Sequence, residues 1–184
     1  LISEKFPLFV SYLERYLCDA KSYGLLYFRG DSHPNWLGAY FIYQYIVKDI
    51  NNKSGGALGE VIPFSKMQPV LAGYDGDLSN QLSGADTDSL NDQWKDVQPG
   101  GIFEHTIRYF LPENIRRSKE SKLSDALTNF CFSRGVIVRE VDDPSLPSAV
   151  IFRDSTADFI VDLLSEHFRR SVFVWHRGEV INQV

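Results

Sequence analysis

The feature that most limits what this chain can fold into lies between Ala149 and Trp175. Ala149-Val150-Ile151-Phe152 is a short apolar run rich in β-branched and aromatic residues, the pattern of a buried strand. Arg153-Asp154-Ser155-Thr156 interrupts it, and Ile160, Val161, Leu163, Leu164 and Phe168 then supply the apolar face of a helix over 160–168. Ser171-Val172-Phe173-Val174-Trp175 reads as the next strand. Strand, helix and strand in that order predict a β-α-β unit with parallel strands and a right-handed crossover. Ser155 then falls at the carboxyl end of a strand and the amino end of a helix, where open α/β sheets carry their sites.

The amino-terminal part extends the α/β pattern. Phe6, Phe9, Val10, Leu13, Leu17 and Ala20 recur with a helical period, with Pro7 in the first turn and Gly24 past the end. Leu25-Leu26-Tyr27-Phe28 is read as a short buried strand that stops at Gly30. A second helix is predicted from Trp36 to Ile50 with Asn35 as its N-cap; it is apolar nearly all round, so it should be buried on more than one side. Asn51 to Gly56 is a turn-rich break, and the pattern stays weak to about Gly101. A helical fragment at Leu78–Leu82 and an acidic loop at Asp86-Thr87-Asp88 are expected there. That loop lacks the glycine and terminal glutamate of a calcium loop, so no metal is assigned to it. Ile102 to Phe110 reads as a strand or edge hairpin, Ile115 to Leu123 as an exposed basic surface, and Leu123 to Phe132 as a short amphipathic segment. Val136 to Val141 reads as a strand followed by a turn through Pro144 and Pro147.

At 184 residues the chain fits a single domain spanning 1–184. A net charge of −5 and a pI near 5.3, without an extended cluster of Lys or Arg, argue against a nucleic-acid partner. Cys18 and Cys131 sit in apolar stretches without metal-ligand spacing and read as buried free thiols, with a disulfide between them as the alternative. Trp36 to Val47, the longest apolar run, is too short, and too polar at Gln44, to span a bilayer. The opening on Leu1 in mid-pattern suggests an excised or truncated piece of a longer protein.

Asp31 and His33 stand two residues apart after the first predicted strand, so their side chains project to one side and the carboxylate can orient the imidazole. Ser155, on its strand-to-helix turn, is the matching nucleophile. The turn lifts its hydroxyl clear of the sheet, and the amides that open the next helix face any oxyanion formed there. Ser155 as nucleophile, His33 as base and Asp31 as orienter form a coherent triad. The plainer alternative is that Asp154 or Ser155 caps the helix and Asp31 and Ser32 are turn residues. His105, His167 and His176 have no acid–base partner in the pattern, and His167 is read as a surface or C-terminal-turn residue.

Asp31-Ser32-His33 ahead of Trp36-Leu37-Gly38-Ala39-Tyr40 resembles the Asp-x-His block of the alginate O-acetyltransferase family, whose domain is SGNH-hydrolase-like. Asp75-Gly76-Asp77-Leu78 is similar to its Gly-Asp-Leu segment. Pro147 to Ser155 resembles the strand leading into its Asp-Ser nucleophile block, and Leu164 to Phe168 and Phe173 to Trp175 resemble the segments on the carboxyl side of that block. The resemblance implies a flavodoxin-like three-layer α/β/α sandwich with a mainly parallel central sheet. It also implies Ser155, His33 and Asp31 in the roles given above, no metal or organic cofactor, and a periplasmic or cell-envelope setting with envelope protein partners. The activity implied is O-acetyl transfer from an acetyl donor to a polysaccharide hydroxyl through an acetyl-serine. An acetylesterase, or a non-catalytic carbohydrate-binding or scaffold domain of the same fold, are the alternatives. Pro34, where the family carries Trp, and Thr156, where an aromatic follows the Asp-Ser pair, depart from the family pattern.

Overall fold

The computed structural model describes residues 10–78, 103–123 and 135–175. In chain order these form α1 (Glu14–Ala20), α2 (Trp36–Ser54), β1 (Gln68–Asp75), β2 (Phe103–Phe110), β3 (Lys119–Ser121), β4 (Ile137–Glu140), β5 (Ser148–Arg153), α3 (Val161–Ser165) and β6 (Arg170–Trp175). Short 3₁₀ turns follow α1 and precede β1 and α3. The fold is α/β with two sheets. One is the antiparallel pair β1–β2, and the other has the order β3-β4-β6-β5.

The expected β-α-β unit is present, with β5 and β6 parallel from Ser148↔Arg170 to Arg153↔Trp175. The expectation of a mainly parallel, three-layered sheet is corrected. The pairings of β4 with β3 and with β6 are both antiparallel, and β1–β2 stands as a separate antiparallel sheet. Among the described residues only β5 and β6 pair in parallel, and the 3₁₀ turn and α3 between them supply the crossover that a parallel pair needs.

Leu25–Phe28 is not a strand of either sheet. It makes one isolated antiparallel bridge, Tyr27↔Pro34. Its side chains still alternate, with Leu26 and Phe28 buried and Leu25 and Tyr27 exposed. α1 begins at Glu14, later than its apolar spacing predicted, while α2 begins at Trp36 as expected and runs past Ile50 to Ser54. Gly55 ends it at φ 72°, a left-handed conformation that glycine adopts without a Cβ clash. Asn35 caps α2: its Oδ1 accepts from Gly38 N at 2.9 Å, and its Nδ2 donates to the Leu25 carbonyl at 2.7 Å. One side chain thus starts the helix and ties down the segment before it. Gly38 is required there, since a Cβ would lie 2.0 Å from the Leu26 carbonyl oxygen.

The core joins α2, α3 and one face of the larger sheet through Ala39, Tyr43 and Val47, Ile160, Leu163 and Leu164, and Phe173. On the other face Val150 and Phe152 are exposed. Cys18 is exposed, not buried, and Cys131 lies outside the described residues, as do the expected fragment beyond Leu78, the acidic loop at 86–88 and most of 123–132. The basic stretch is partly absorbed into the fold: Arg117 N and Ser118 N donate to the buried Glu166 carboxylate at 2.8 and 2.9 Å. No helix among the described residues is long and apolar enough to cross a membrane.

His167 is buried, where its sequence context suggested a surface position. Its ring lies 2.6 Å from the Tyr43 hydroxyl through Nε2 and 2.6 Å from the Leu58 carbonyl through Nδ1. The carbonyl only accepts, so Nδ1 carries the proton and Nε2 accepts from Tyr43. Tyr43 in turn accepts from Ile62 N at 2.9 Å. Burial holds the His167 pKa below the ordinary histidine value, outweighing the Leu58 hydrogen bond and the nearby Glu166, while Arg117 adds to the depression. A histidine depressed in the folded state takes up a proton more readily when unfolded. Stability should therefore rise with pH through the interval below the unfolded histidine pKa and be lost as pH falls through it. Denaturant unfolding of the protein between pH 7 and pH 5 should show this acid loss, and His167→Gln should flatten it; an unchanged slope would refute the assignment.

Candidate active site

β5 delivers the nucleophile candidate. The strand ends at Arg153, and Ser155 opens the 3₁₀ turn Ser155–Phe159. Arg153 anchors this end of the sheet: it is buried, pairs with Asp158, donates to the Gly135 carbonyl at 3.2 Å and lies over the Trp175 ring. The helix expected over 160–168 is the shorter α3, five residues long, and the 3₁₀ turn precedes it. Asp154 caps the turn, its Oδ1 accepting from Thr156 N at 3.0 Å, so the Thr156 amide is engaged and is not an oxyanion donor. The serine turn is not backbone-strained, since no non-glycine residue has a positive φ among the described residues.

The other half of the site stands on the loop between the isolated bridge and α2. Asp31, His33 and Ser155, singled out from the sequence, come together. His33 Nε2 is 2.6 Å from Ser155 Oγ, and His33 Nδ1 is 2.5 Å from Asp31 Oδ1. Asp31 Oδ1 also accepts from His33 N at 2.6 Å. An ionised carboxylate only accepts, so Nδ1 carries the ring proton and Nε2 is left to accept from the Ser155 hydroxyl. This is the hydrogen-bonding order that activates a serine.

Asp31 is buried, and burial pushes its pKa up. Hydrogen bonds from Asp77 N, His33 N, the His33 ring and the Tyr74 hydroxyl outweigh that, so the net shift is downward and the carboxylate stays ionised. Tyr74 was not singled out from the sequence, and Asp77 entered only as part of the segment resembling the Gly-Asp-Leu block, without a role. Tyr74 OH lies 3.1 Å and Asp77 N 2.8 Å from Asp31 Oδ2. Burial, and then the Asp31 charge beside it, push the Tyr74 hydroxyl up to about 12, so it remains a donor. The sequence signal was the Asp75-Gly76-Asp77 segment, but nothing local connected it with Asp31, more than forty positions away.

An aromatic wedge fills the space between the two halves. Phe28 stacks on Tyr74 at 3.8 Å between centroids, Trp36 meets both edge-on, and Phe159 packs against Trp36 and lies 6.1 Å from the His33 ring. Asp31, His33 and Asp77 offer ligand atoms within 4.8 Å of one another, a spacing that suits a metal. Each of these groups already has a hydrogen-bond partner, and an ion there would displace the Asp31–His33 bond. His105 lies on β2, His176 lies outside the described residues, and His167 belongs to the core.

No family model and no curated protein matches the sequence. Solved structures do share its fold. PatB1 from Bacillus cereus superposes with a TM-score of 0.56 at 20% identity, over 85% of this chain and 57% of that one. A DHHW family protein from Eubacterium siraeum DSM 15702 gives 0.53 at 14% identity, over 85% and 53%. The O-acetyltransferase domain of AlgJ from Pseudomonas putida gives 0.43 at 16% identity, over 94% and 49%. The chain thus spans about half the length of these neighbours, and at such identity what it shares with PatB1 and the DHHW family protein is the fold.

Asp31→Asn would turn an amide group toward donors now satisfied by carboxylate oxygens. It should lower unfolding free energy by about 2–3 kcal/mol, the cost of a buried charged network left partly unpaired. Urea midpoints for the two proteins measure this, and equal midpoints would show that the network contributes nothing to stability.

Proposed function

We propose that this chain is the catalytic domain of an SGNH-like serine acyltransferase that moves an acetyl group onto a polysaccharide hydroxyl. The observation that supports the reading is the run of short contacts from Asp31 through His33 to Ser155 Oγ. In the first step His33 Nε2 takes the Ser155 proton as Oγ attacks the acetyl carbonyl. The tetrahedral intermediate collapses, the leaving group takes the proton from Nε2, and acetyl-Ser155 remains. In the second step an acceptor hydroxyl gives its proton to Nε2 and attacks the acetyl carbon, and Ser155 recovers its proton as it leaves. Asp31 stays ionised throughout and stabilises the imidazolium that forms in each half. With the Thr156 amide held by Asp154, the Ser155 amide is the proposed donor to the oxyanion. No cofactor is needed for this chemistry. The resemblance of the Asp31–His33 and Asp154–Ser155 blocks to the alginate O-acetyltransferase family supports an exopolysaccharide acceptor and a cell-envelope setting.

Acetyl-ester hydrolysis is the second reading, favoured by one observation. Ser155 is only half-buried and the His33 side chain is 18% exposed, so water reaches the base. The two readings differ only in which hydroxyl attacks the acetyl-serine.

Turnover of p-nitrophenyl acetate checks the proposal. Ser155→Ala and His33→Ala should each lose roughly 10³-fold or more in kcat, and an aryl sulfonyl fluoride should label wild type on Ser155 but leave Ser155→Ala unmodified. Equal turnover in wild type and Ser155→Ala would rule Ser155 out as nucleophile. Release that rises with added polysaccharide, with acetate recovered on the polymer, would favour transfer; release indifferent to it would favour hydrolysis.

A further inference from the structure

His33 and Asp31 stand on a loop with little sheet to hold it, because the segment before them makes a single bridge and not a strand. A triad needs its orienting carboxylate fixed to within a few tenths of an ångström, so something else must fix it. The geometry points to Tyr74 and Asp77, at the carboxyl end of β1 and just beyond it, as positioning residues for the Asp31 carboxylate. The inference rests on the proposed role of Ser155.

The two oxygens of Asp31 divide the work. Oδ1 faces His33 and accepts from its backbone and ring N–H groups. Oδ2 faces β1 and its following turn, accepting from Tyr74 OH at 3.1 Å and Asp77 N at 2.8 Å. Rotating the carboxylate would break all four bonds together. The link is also reciprocal. Asp77 Oδ1 accepts from Ser32 N at 2.9 Å and Oδ2 from Ser32 Oγ at 2.7 Å, so each loop holds a backbone amide of the other through an aspartate. The backbones are pressed together where this happens. Leu78 N donates to the Gly30 carbonyl at 3.1 Å, and a Cβ at Gly76 would lie 1.9 Å from that same oxygen. Glycine at 76 is what allows the Asp77 amide to reach Asp31. Tyr74 is itself held by its ring, stacked on Phe28 and edge-on to Trp36.

Asp77 Oδ2 also lies 3.9 Å from His33 Nδ1, so its charge as well as its hydrogen bonds reaches the site. Two variants separate these. Asp77→Asn keeps an oxygen for Ser32 N and removes the charge, whereas Asp77→Ala removes both. Tyr74→Phe keeps the stacked ring and removes only the hydroxyl that Asp31 accepts.

The test combines kinetics on p-nitrophenyl acetate with proton NMR of the low-field His33 Nδ1–H resonance, identified by its loss in His33→Ala. Tyr74→Phe and Asp77→Ala should each lower kcat about tenfold with KM held within about twofold, and should move the resonance or speed its exchange with water. Asp77→Asn should recover most of the loss. A resonance unchanged in position and exchange in both Tyr74→Phe and Asp77→Ala would overturn the assignment, as would the absence of any such resonance in wild type. Failure of Asp77→Asn to recover the loss would overturn positioning for Asp77 and attribute its effect to charge. A wild-type protein that shows the resonance, with the variants shifting it, but turns nothing over would uphold the positioning and sink the catalytic reading.

Discussion

The arrangement of this molecule depends on one buried carboxylate. Asp31 is almost closed to solvent and holds four hydrogen-bond donors, from His33 twice, from Tyr74 and from Asp77. An isolated charge at that depth would cost several kcal/mol or more, or would take up a proton. The only way to keep it ionised is to surround it with donors, and the donors come from two segments separated in the chain. Satisfying Asp31 therefore brings the loop before α2 against the end of β1. His33, fixed on the other side of the same carboxylate, is aimed at Ser155.

The site is thereby assembled from parts with different mechanical origins. Ser155 is placed by a sheet: β5 is paired along its length with β6, and Arg153 anchors the strand end. His33 and Asp31 are placed by a loop outside the larger sheet, held by Asn35 at the start of α2 and by the end of β1. The aromatic wedge of Phe28, Trp36, Tyr74 and Phe159 packs the seam between them. Such rings contribute area and preferred edge-to-face contacts, and the Tyr74 hydroxyl among them donates to Asp31. The shared fold with PatB1 and the DHHW family protein fits this division, since folds are set by packed layers and sites by a few loops laid on them.

Several features were legible because they are local. The β-α-β pattern from Ala149 to Trp175, the N-cap at Asn35, the spacing of Asp31 and His33 and the position of Ser155 after a strand each follow from period, capping or turn chemistry within a short window. Others were not. Leu25–Phe28 reads as a strand because it is an apolar run, but pairing requires a partner elsewhere, and among the described residues only Pro34 is in place. β1 was missed because its exposed Val70 and Leu71, flanked by Pro69 and Gly73, make no amphipathic pattern. The helix expected over 160–168 was overread at its carboxyl end, since the apolar spacing continues to Phe168 while the α-helical ladder stops at Ser165.

By itself, the sequence determined the α/β class, the start of α2 and which three side chains were the candidates for acid–base and nucleophilic chemistry, because those depend on residue type and near-neighbour spacing. The tertiary structure decided that the three meet, that most pairings of the larger sheet are antiparallel, that His167 is buried with Tyr43, and that Tyr74 and Asp77 hold Asp31. Those are statements about residues far apart in the chain. They are fixed by the need to satisfy buried polar groups and fill space across the whole molecule, and no local window contains that requirement.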